Sequence, residues 1–211
     1  MLEPRLWVSS FCQLDFEALA ARGIAYYCLD VDNTLARQDD WNPYPGVLEH
    51  LGQARRQGHL RDACLISNVI FGPRRLARLR HLGRLLGIEH VYGAHFWDRK
   101  PGPRAFRWAL ARMGSQPCST AMVGDQLYTD ILGGNRLGLF TVLVDPLGED
   151  HWTTRLLGRR RRQNRLLSQM GITRATGGRA ANADGTMRQA ERGVAGVNLP
   201  AHPRPAGREG L

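Results

Sequence analysis

The sequence has almost no lysine: 28 of its 29 basic side chains are arginine, and Lys100 is the exception in a chain of 211 residues. Cysteine is scarce and scattered. Cys12, Cys28, Cys64 and Cys118 form no Cys-x-x-Cys pair, which argues against a zinc ribbon or a disulfide framework and leaves them as small core residues of a reducing compartment. Long apolar runs are missing too, since no window approaches the roughly 18 residues of a membrane span. The opening MLEPRLWVSSFCQLDF lacks a basic start followed by a long apolar stretch. A soluble, cytoplasmic protein is the expectation.

Acidic residues are short only at one end. Residues 1–150 hold 17 basic and 16 acidic side chains, whereas residues 151–211 hold 12 and 3, so the net charge of +10 belongs to the tail. The composition divides the chain accordingly. Residues 1–150 have the length of one domain with a substantial core. Residues 151–170 read as a basic, partly amphipathic helix around Arg159–Arg162. Residues 171–211, rich in Arg, Gly, Pro and Ala and poor in aliphatics, read as disordered.

Within the domain, short apolar runs near residues 25–30, 63–68, 120–125 and 140–145 alternate with helix-compatible stretches after Pro45, Gly72 and Pro101 and from about Thr129 to Leu137. A weaker strand covers His90 to Tyr92. This rhythm predicts an α/β fold, a doubly wound, Rossmann-like parallel sheet with helices on both faces. Three strands end on polar residues: Asp30 and Asp32, then Ser67 and Asn68, then Asp125. In such sheets ligands bind beyond the carboxyl ends of strands, so these residues are expected to converge on one crevice.

The residue types then suggest a chemistry. Alternation along a strand points Asp30 and Asp32 to one side, a crowding of like charge that a cation relieves. A third carboxylate from Asp125 makes an oxygen-rich site suited to Mg²⁺, which takes few protein carboxylates and leaves room for a substrate phosphate. A phosphoryl group there needs donors for its oxygens, which Ser67 and Lys100 supply. Asp130 reads either as part of the acidic set or as an acid favoured at a helix N-terminus. Gly133-Gly134 reads as close packing or a turn rather than a phosphate cradle.

The order DVDNT (30–34), SN (67–68), KP (100–101) and GDQLYTD (124–130) resembles the four motifs of the haloacid dehalogenase superfamily of aspartate-based phosphatases. The runs DFEALAARGIAYYCLDVDNTL and VGDQLYTDILGGNRLG resemble its YqeG-like branch, which includes phosphatidylglycerophosphate phosphatases. The resemblance implies that Asp30 attacks phosphorus to form an aspartyl-phosphate and that Asp32 serves as acid and then base. It also implies Mg²⁺ held by Asp30, the Asp32 backbone carbonyl and Asp125, with Asp130 as a supporting carboxylate. Ser67, Asn68 and Lys100 then bind the phosphoryl group.

The spacing leaves no room for a separate cap domain, because one helix separates Asp32 from Ser67 and one helix with a short strand separates Asn68 from Lys100. An open cleft suits a bulky substrate such as a lipid head group. The basic segment 152–170 is accordingly expected to meet an anionic membrane surface on its cytoplasmic side. Two other readings stay open here. One is hydrolysis of a soluble sugar phosphate, a nucleotide or a nucleic-acid end. The other is an RNA- or ribosome-binding protein that uses the Arg-rich tail and an idle domain.

Overall fold

The computed structural model describes residues 1–69, 72–147, 165–168, 171 and 174. Six strands make one sheet: β1 (Leu6–Val8), β2 (Tyr26–Leu29), β3 (Asp62–Asn68), β4 (His90–Ala94), β5 (Thr120–Gly124) and β6 (Phe140–Val144). All pairings are parallel and the order is β1-β6-β5-β2-β3-β4. The chain leaves β2 towards β3 on one side and later returns to β5 on the other. The carboxyl end of β2 is therefore the point where the topology switches direction, and a crevice opens there.

Strand alternation sorts the core into two layers. Tyr27, Leu29, Ala63, Leu65, Ala121 and Val123 face one layer, and Cys28, Cys64, Ile66 and Met122 face the other. On the first face lie α1 (Phe16–Ala20), α2 (Val47–Arg56) and α3 (Pro73–Leu85), which bury Leu19, Leu51, Leu79 and Leu82. On the second lies α4 (Pro103–Met113), which buries Ala105, Phe106, Ala109 and Met113. Strands buried on both faces read as continuous apolar runs, which is why they stand out in the sequence. Each large aliphatic side chain buried this way contributes about 1.5–3 kcal/mol.

The stretch expected as a helix from Thr129 to Leu137 is two pieces. Residues Leu127–Ile131 form a widened π-type turn, with the Ile131 N–H donating to the Gln126 carbonyl at 3.3 Å. The short helix α5 (Leu132–Arg136) follows. Gly133 and Gly134 are packing positions, as a Cβ at Gly133 would overlap the Phe106 ring and one at Gly134 would overlap Thr141 and Met122. Only two of the four cysteines, Cys28 and Cys64, are buried; Cys118 is exposed.

No cap domain interrupts the described residues. The loop between β2 and α2 and the helix α3 between β3 and β4 are the excursions next to the crevice. Most of the helix expected over 151–170 lies outside the described residues, as does almost all of 171–211, including the whole unit 179–211. Residues 165–168 are helical, and Leu167 is buried against Leu127, Ile131 and Leu143. Among the described residues no helix is long and apolar enough to cross a membrane.

Candidate active site

The site begins where β2 ends. The Asp30 N–H still donates to the Val123 carbonyl of β5, at 2.9 Å, and Val31 is fully buried behind it. The chain then turns tightly. The N–H groups of Thr34, Leu35 and Ala36 all lie at the Val31 carbonyl, and Asn33 adopts a φ of 62° while donating to the Ala36 carbonyl at 2.7 Å. Asparagine tolerates this left-handed conformation better than most residues. The turn brings the Thr34 hydroxyl to 3.4 Å from Asp30 Oδ2.

Lys100 occupies the centre. Its side chain is almost fully buried, and its ammonium donates to Asp30 Oδ1 at 2.6 Å and to the Ile66 carbonyl at 2.8 Å, with Asp130 Oδ1 at 2.7 Å. An ammonium has three protons, and three converging oxygens fit it as the planar fork of arginine would not. Asn68 fixes the lysine backbone: its Oδ1 accepts from the Lys100 N–H at 2.8 Å and its Nδ2 donates to the Lys100 carbonyl at 3.2 Å. The Lys100–Pro101 peptide bond is cis.

Asp125 and Asp130 complete the acidic side. Asp125 follows β5 directly, and the π-type turn carries Asp130 back so that its Oδ2 accepts from the Gln126 N–H at 3.1 Å. Gly124 allows this close approach, because a Cβ there would collide with the Asp130 carboxylate. Asp30, Asp125 and Asp130 are all buried, and each offers one oxygen within 4.8 Å of the others. Of these three carboxylates, Asp30 and Asp130 face the one ammonium. That donor set, all oxygen and negative in sum, fits a hard divalent cation.

Burial pushes the Asp30 carboxyl up to about 6; the Lys100 ammonium opposes the rise and the Asp130 carboxylate adds to it. Burial alone lowers the affinity of Lys100 for its proton, but Asp130 and Asp30 outweigh it and hold the ammonium above its ordinary range. This lysine is therefore a fixed cation at neutral pH.

Asp32 is set apart from this cluster. Its carboxylate Oδ1 accepts from Arg78 Nη1 at 2.7 Å, and roughly a third of its side chain is exposed. Arg78, in the second turn of α3, is buried and locked on all sides. Its Nε donates to the Asp40 carbonyl at 2.6 Å and its Nη2 to the Arg37 carbonyl at 3.0 Å. Burial raises the Asp32 carboxyl above its usual range, while Arg78 holds it down and Asp30 adds to the rise; the charge of Arg75 also reaches it.

Each residue expected at the site has a defined place. Asp30 and Asp32 each meet a protein cation, Lys100 for the first and Arg78 for the second, and the Asp32 carboxylate lies outside the metal-competent cluster, its backbone carbonyl being the expected ligand. Asn68, expected at the phosphate, has both ends of its amide on the Lys100 main chain. Lys100, also expected there, donates from its ammonium to Asp30 and the Ile66 carbonyl and forms an ion pair with Asp130. Ser67 is buried at the end of β3, beside the cluster's strands, with no side-chain hydrogen bond among the described residues. Arg78 is absent from the sequence reading, because nothing distinguishes it from 27 other arginines except its partner across the crevice.

A family model for HAD-hydrolase-like proteins matches residues 97–149, the stretch that carries Lys100, Asp125 and Asp130. The "Probable phosphatase YqeG" of Bacillus subtilis is 32% identical over 168 residues, covering 79% of this chain and 90% of that protein. The chain belongs to the YqeG-like branch of the haloacid dehalogenase (HAD) superfamily of phosphatases. A glyceraldehyde 3-phosphate phosphatase of Methanopyrus kandleri is 34% identical to this HAD chain over 107 residues, which is 48% of the chain and 43% of that protein. A HAD phosphatase of known structure from Thermococcus onnurineus superposes with a TM-score of 0.45 and 17% identity, over 64% of this chain and 99% of that one.

Proposed function

We propose that this chain is a Mg²⁺-dependent phosphomonoester hydrolase that works through an aspartyl-phosphate on Asp30, and that its substrate is phosphatidylglycerophosphate. The observation that carries the reading is the buried Lys100 ammonium between Asp30 and Asp130, with Asp125 adjoining, at the carboxyl end of β2. Asp30, Asp125 and the Asp32 carbonyl would hold the ion, with Asp130 in support. When bound, Mg²⁺ supplies positive charge that screens the carboxylates and the substrate phosphate from one another.

Each protein group then has one task. Lys100 keeps the Asp30 carboxylate ionised and oriented, and an Asp30 oxygen attacks phosphorus while the alkoxide departs. Asp32 gives that alkoxide its proton. A water then attacks the aspartyl-phosphate, Asp32 takes the water's proton, and inorganic phosphate leaves with Asp30 restored. Asp32 Oδ2 makes no hydrogen bond among the described residues, which suits the oxygen that moves the proton, while Arg78 steadies Oδ1.

Lipid presentation is supported by the loop between β4 and Lys100. With no cap, the cleft is open, and Phe96 and Trp97 on the loop leading to Lys100 are 61% and 89% exposed, their rings edge to face. Exposed tryptophan on the loop that leads into the site suits a membrane interface, where an apolar body and a polar edge are both accommodated. The basic segment 152–170 would add attraction to anionic lipid, placing the enzyme on the cytoplasmic face of the membrane. A soluble ester is the second reading, favoured by the similarity to a glyceraldehyde 3-phosphate phosphatase and to the Escherichia coli ribonucleotide monophosphatase NagD, the latter over 59 residues.

Phosphate release from the lipid in detergent micelles and from a panel of small esters tests both. The expected result is a higher kcat/KM for the lipid, abolished by chelation and restored by Mg²⁺. A higher value for a small ester selects the second reading, and no release from either refutes the hydrolase.

The role of Arg78 is separately measurable. Lys in its place keeps a charge but loses the fork that binds Asp32 and two carbonyls. Arg78→Lys is expected to slow hydrolysis of alkyl esters, whose leaving groups need a proton, about tenfold more than that of p-nitrophenyl phosphate, which needs none. Equal slowing of both would make Arg78 a structural residue only.

A further inference from the structure

Beside Asp32 the surface opens into a hollow of about 430 Å³, lined by Asp39, Trp41, Arg74, Arg75 and Arg78. Three of its five lining residues are arginines and one is acidic. Arg78 forms the wall shared with the active site, since its guanidinium touches Asp32 at 2.7 Å. It is fully engaged by Asp32 and the carbonyls of Arg37 and Asp40, so it shapes the hollow without being available to a ligand.

Arg74 and Arg75 differ. Both are exposed in the first turn of α3, and among the described residues neither makes an ion pair with an acidic side chain. Their position works against the helix, because the first turn carries the positive end of its dipole and this one has no acidic residue to balance it. Gly72 at the N-cap supplies no side-chain acceptor either. Two arginines without an acidic partner among the described residues, a cavity of ligand size and a wall shared with the carboxylate proposed to transfer the proton together describe a place for an anion. Trp41, half-buried and packed against His81 with ring centroids 5.5 Å apart, gives the hollow a rigid apolar side.

We infer that this hollow seats a second phosphate of the substrate, carried on the leaving group next to the scissile monoester. The inference rests on the reading of Asp30 as the centre of phosphomonoester hydrolysis, and it specifies the substrate class: molecules with two phosphates separated by a short linker. A phosphodiester in a lipid head group and a phosphate in a soluble molecule share that chemistry. The leaving group departs on the side where Asp32 gives its proton, which is the side on which Arg78 and the hollow lie.

The test compares the full chain with its Arg74→Gln/Arg75→Gln double variant on three substrates: glycerol 1-phosphate, the deacylated water-soluble head group of phosphatidylglycerophosphate, and the intact lipid in uncharged detergent micelles. The quantity read is kcat/KM for each two-phosphate substrate divided by that for glycerol 1-phosphate. The expected result is a fall of about tenfold or more in both ratios, the scale of one lost charge-assisted contact. A fall with the lipid alone places the arginines at the micelle surface and overturns the inference. Unchanged ratios in a chain that still hydrolyses glycerol 1-phosphate overturn it while leaving the proposed reaction standing. No hydrolysis of any substrate by the unaltered chain removes the proposed reaction itself.

Discussion

Asp30→Asn is expected to lower phosphate release by a factor on the order of 10⁴ or more, the scale on which removal of a nucleophile acts, and to leave no phosphoenzyme. The substitution keeps size and shape, so Lys100 can still donate to the new side-chain oxygen, but an amide does not attack phosphorus. Its effect on stability has the opposite sign. Burial raises the Asp30 carboxyl to about 6, so folding favours its protonated form and the ionised form costs stability above that pH. Without divalent cations, Asp30→Asn should therefore melt at or above the temperature of the unaltered chain at pH 8. The advantage should shrink as pH falls through about 6 and vanish near the ordinary carboxylate value of about 4. Lost activity with retained or raised melting temperature distinguishes a missing nucleophile from a damaged fold. A fully active variant would remove Asp30 from the chemistry.

Lys100→Met has the second-largest expected effect, and here activity and stability fall together. Methionine fills much of the volume but withdraws the cation that lies 2.6 Å from Asp30 and 2.7 Å from Asp130. Two buried carboxylates then lose their ammonium, a third stands close to both, and the Ile66 carbonyl loses its donor. Breaking a buried pair by removing one partner costs about 3–5 kcal/mol, readable as a lower urea midpoint in chelator. Turnover should fall by about 10²–10³, as for loss of a preorganised charge at a reacting centre. Mg²⁺ should recover part of the stability, since it returns positive charge to the same oxygens, and little of the turnover, since it does not orient Asp30 as the ammonium does. A variant as stable and as active as its parent would show that Lys100 is incidental.

The legible part of this molecule is the part written in local pattern. Strands buried on both faces leave apolar runs, and polar residues at the ends of β2, β3 and β5 announce a crevice because a parallel sheet brings those ends together. Lys100 is conspicuous for a compositional reason, being the single lysine among arginines. What pattern could not carry is partner choice across the fold. Arg78 meets Asp32 from 46 positions away, and Asn68 grips the main chain of a residue 32 positions on. Both facts depend on how α3 and the loop before α4 settle over the sheet. The short pieces β1 and α1 also escaped, as three and five residues hold too few periods to register against neighbouring loops. Splitting of the 129–137 helix into a π-type turn and α5 was hidden too, because that extra residue is required by where Asp130 must reach and not by local propensity.

The pairing of each aspartate with its own cation underlies the division of work proposed for them. Lys100 is buried with Asp30 and favours its anion, whereas Arg78 holds Asp32 by one oxygen at a half-exposed edge, where the proposed mechanism brings the leaving group and the water. Two side chains of the same type, two residues apart, thus receive different environments, and environment is what separates a nucleophile from a proton carrier.

The most direct measurement is to stop turnover with borohydride, which reduces an acyl phosphate to the alcohol, and to map the product by mass spectrometry. The account predicts homoserine at position 30, formed only with substrate and Mg²⁺ present and absent from Asp30→Asn. Steady turnover with no homoserine at position 30, or with it at Asp32, Asp125 or Asp130 instead, would contradict it.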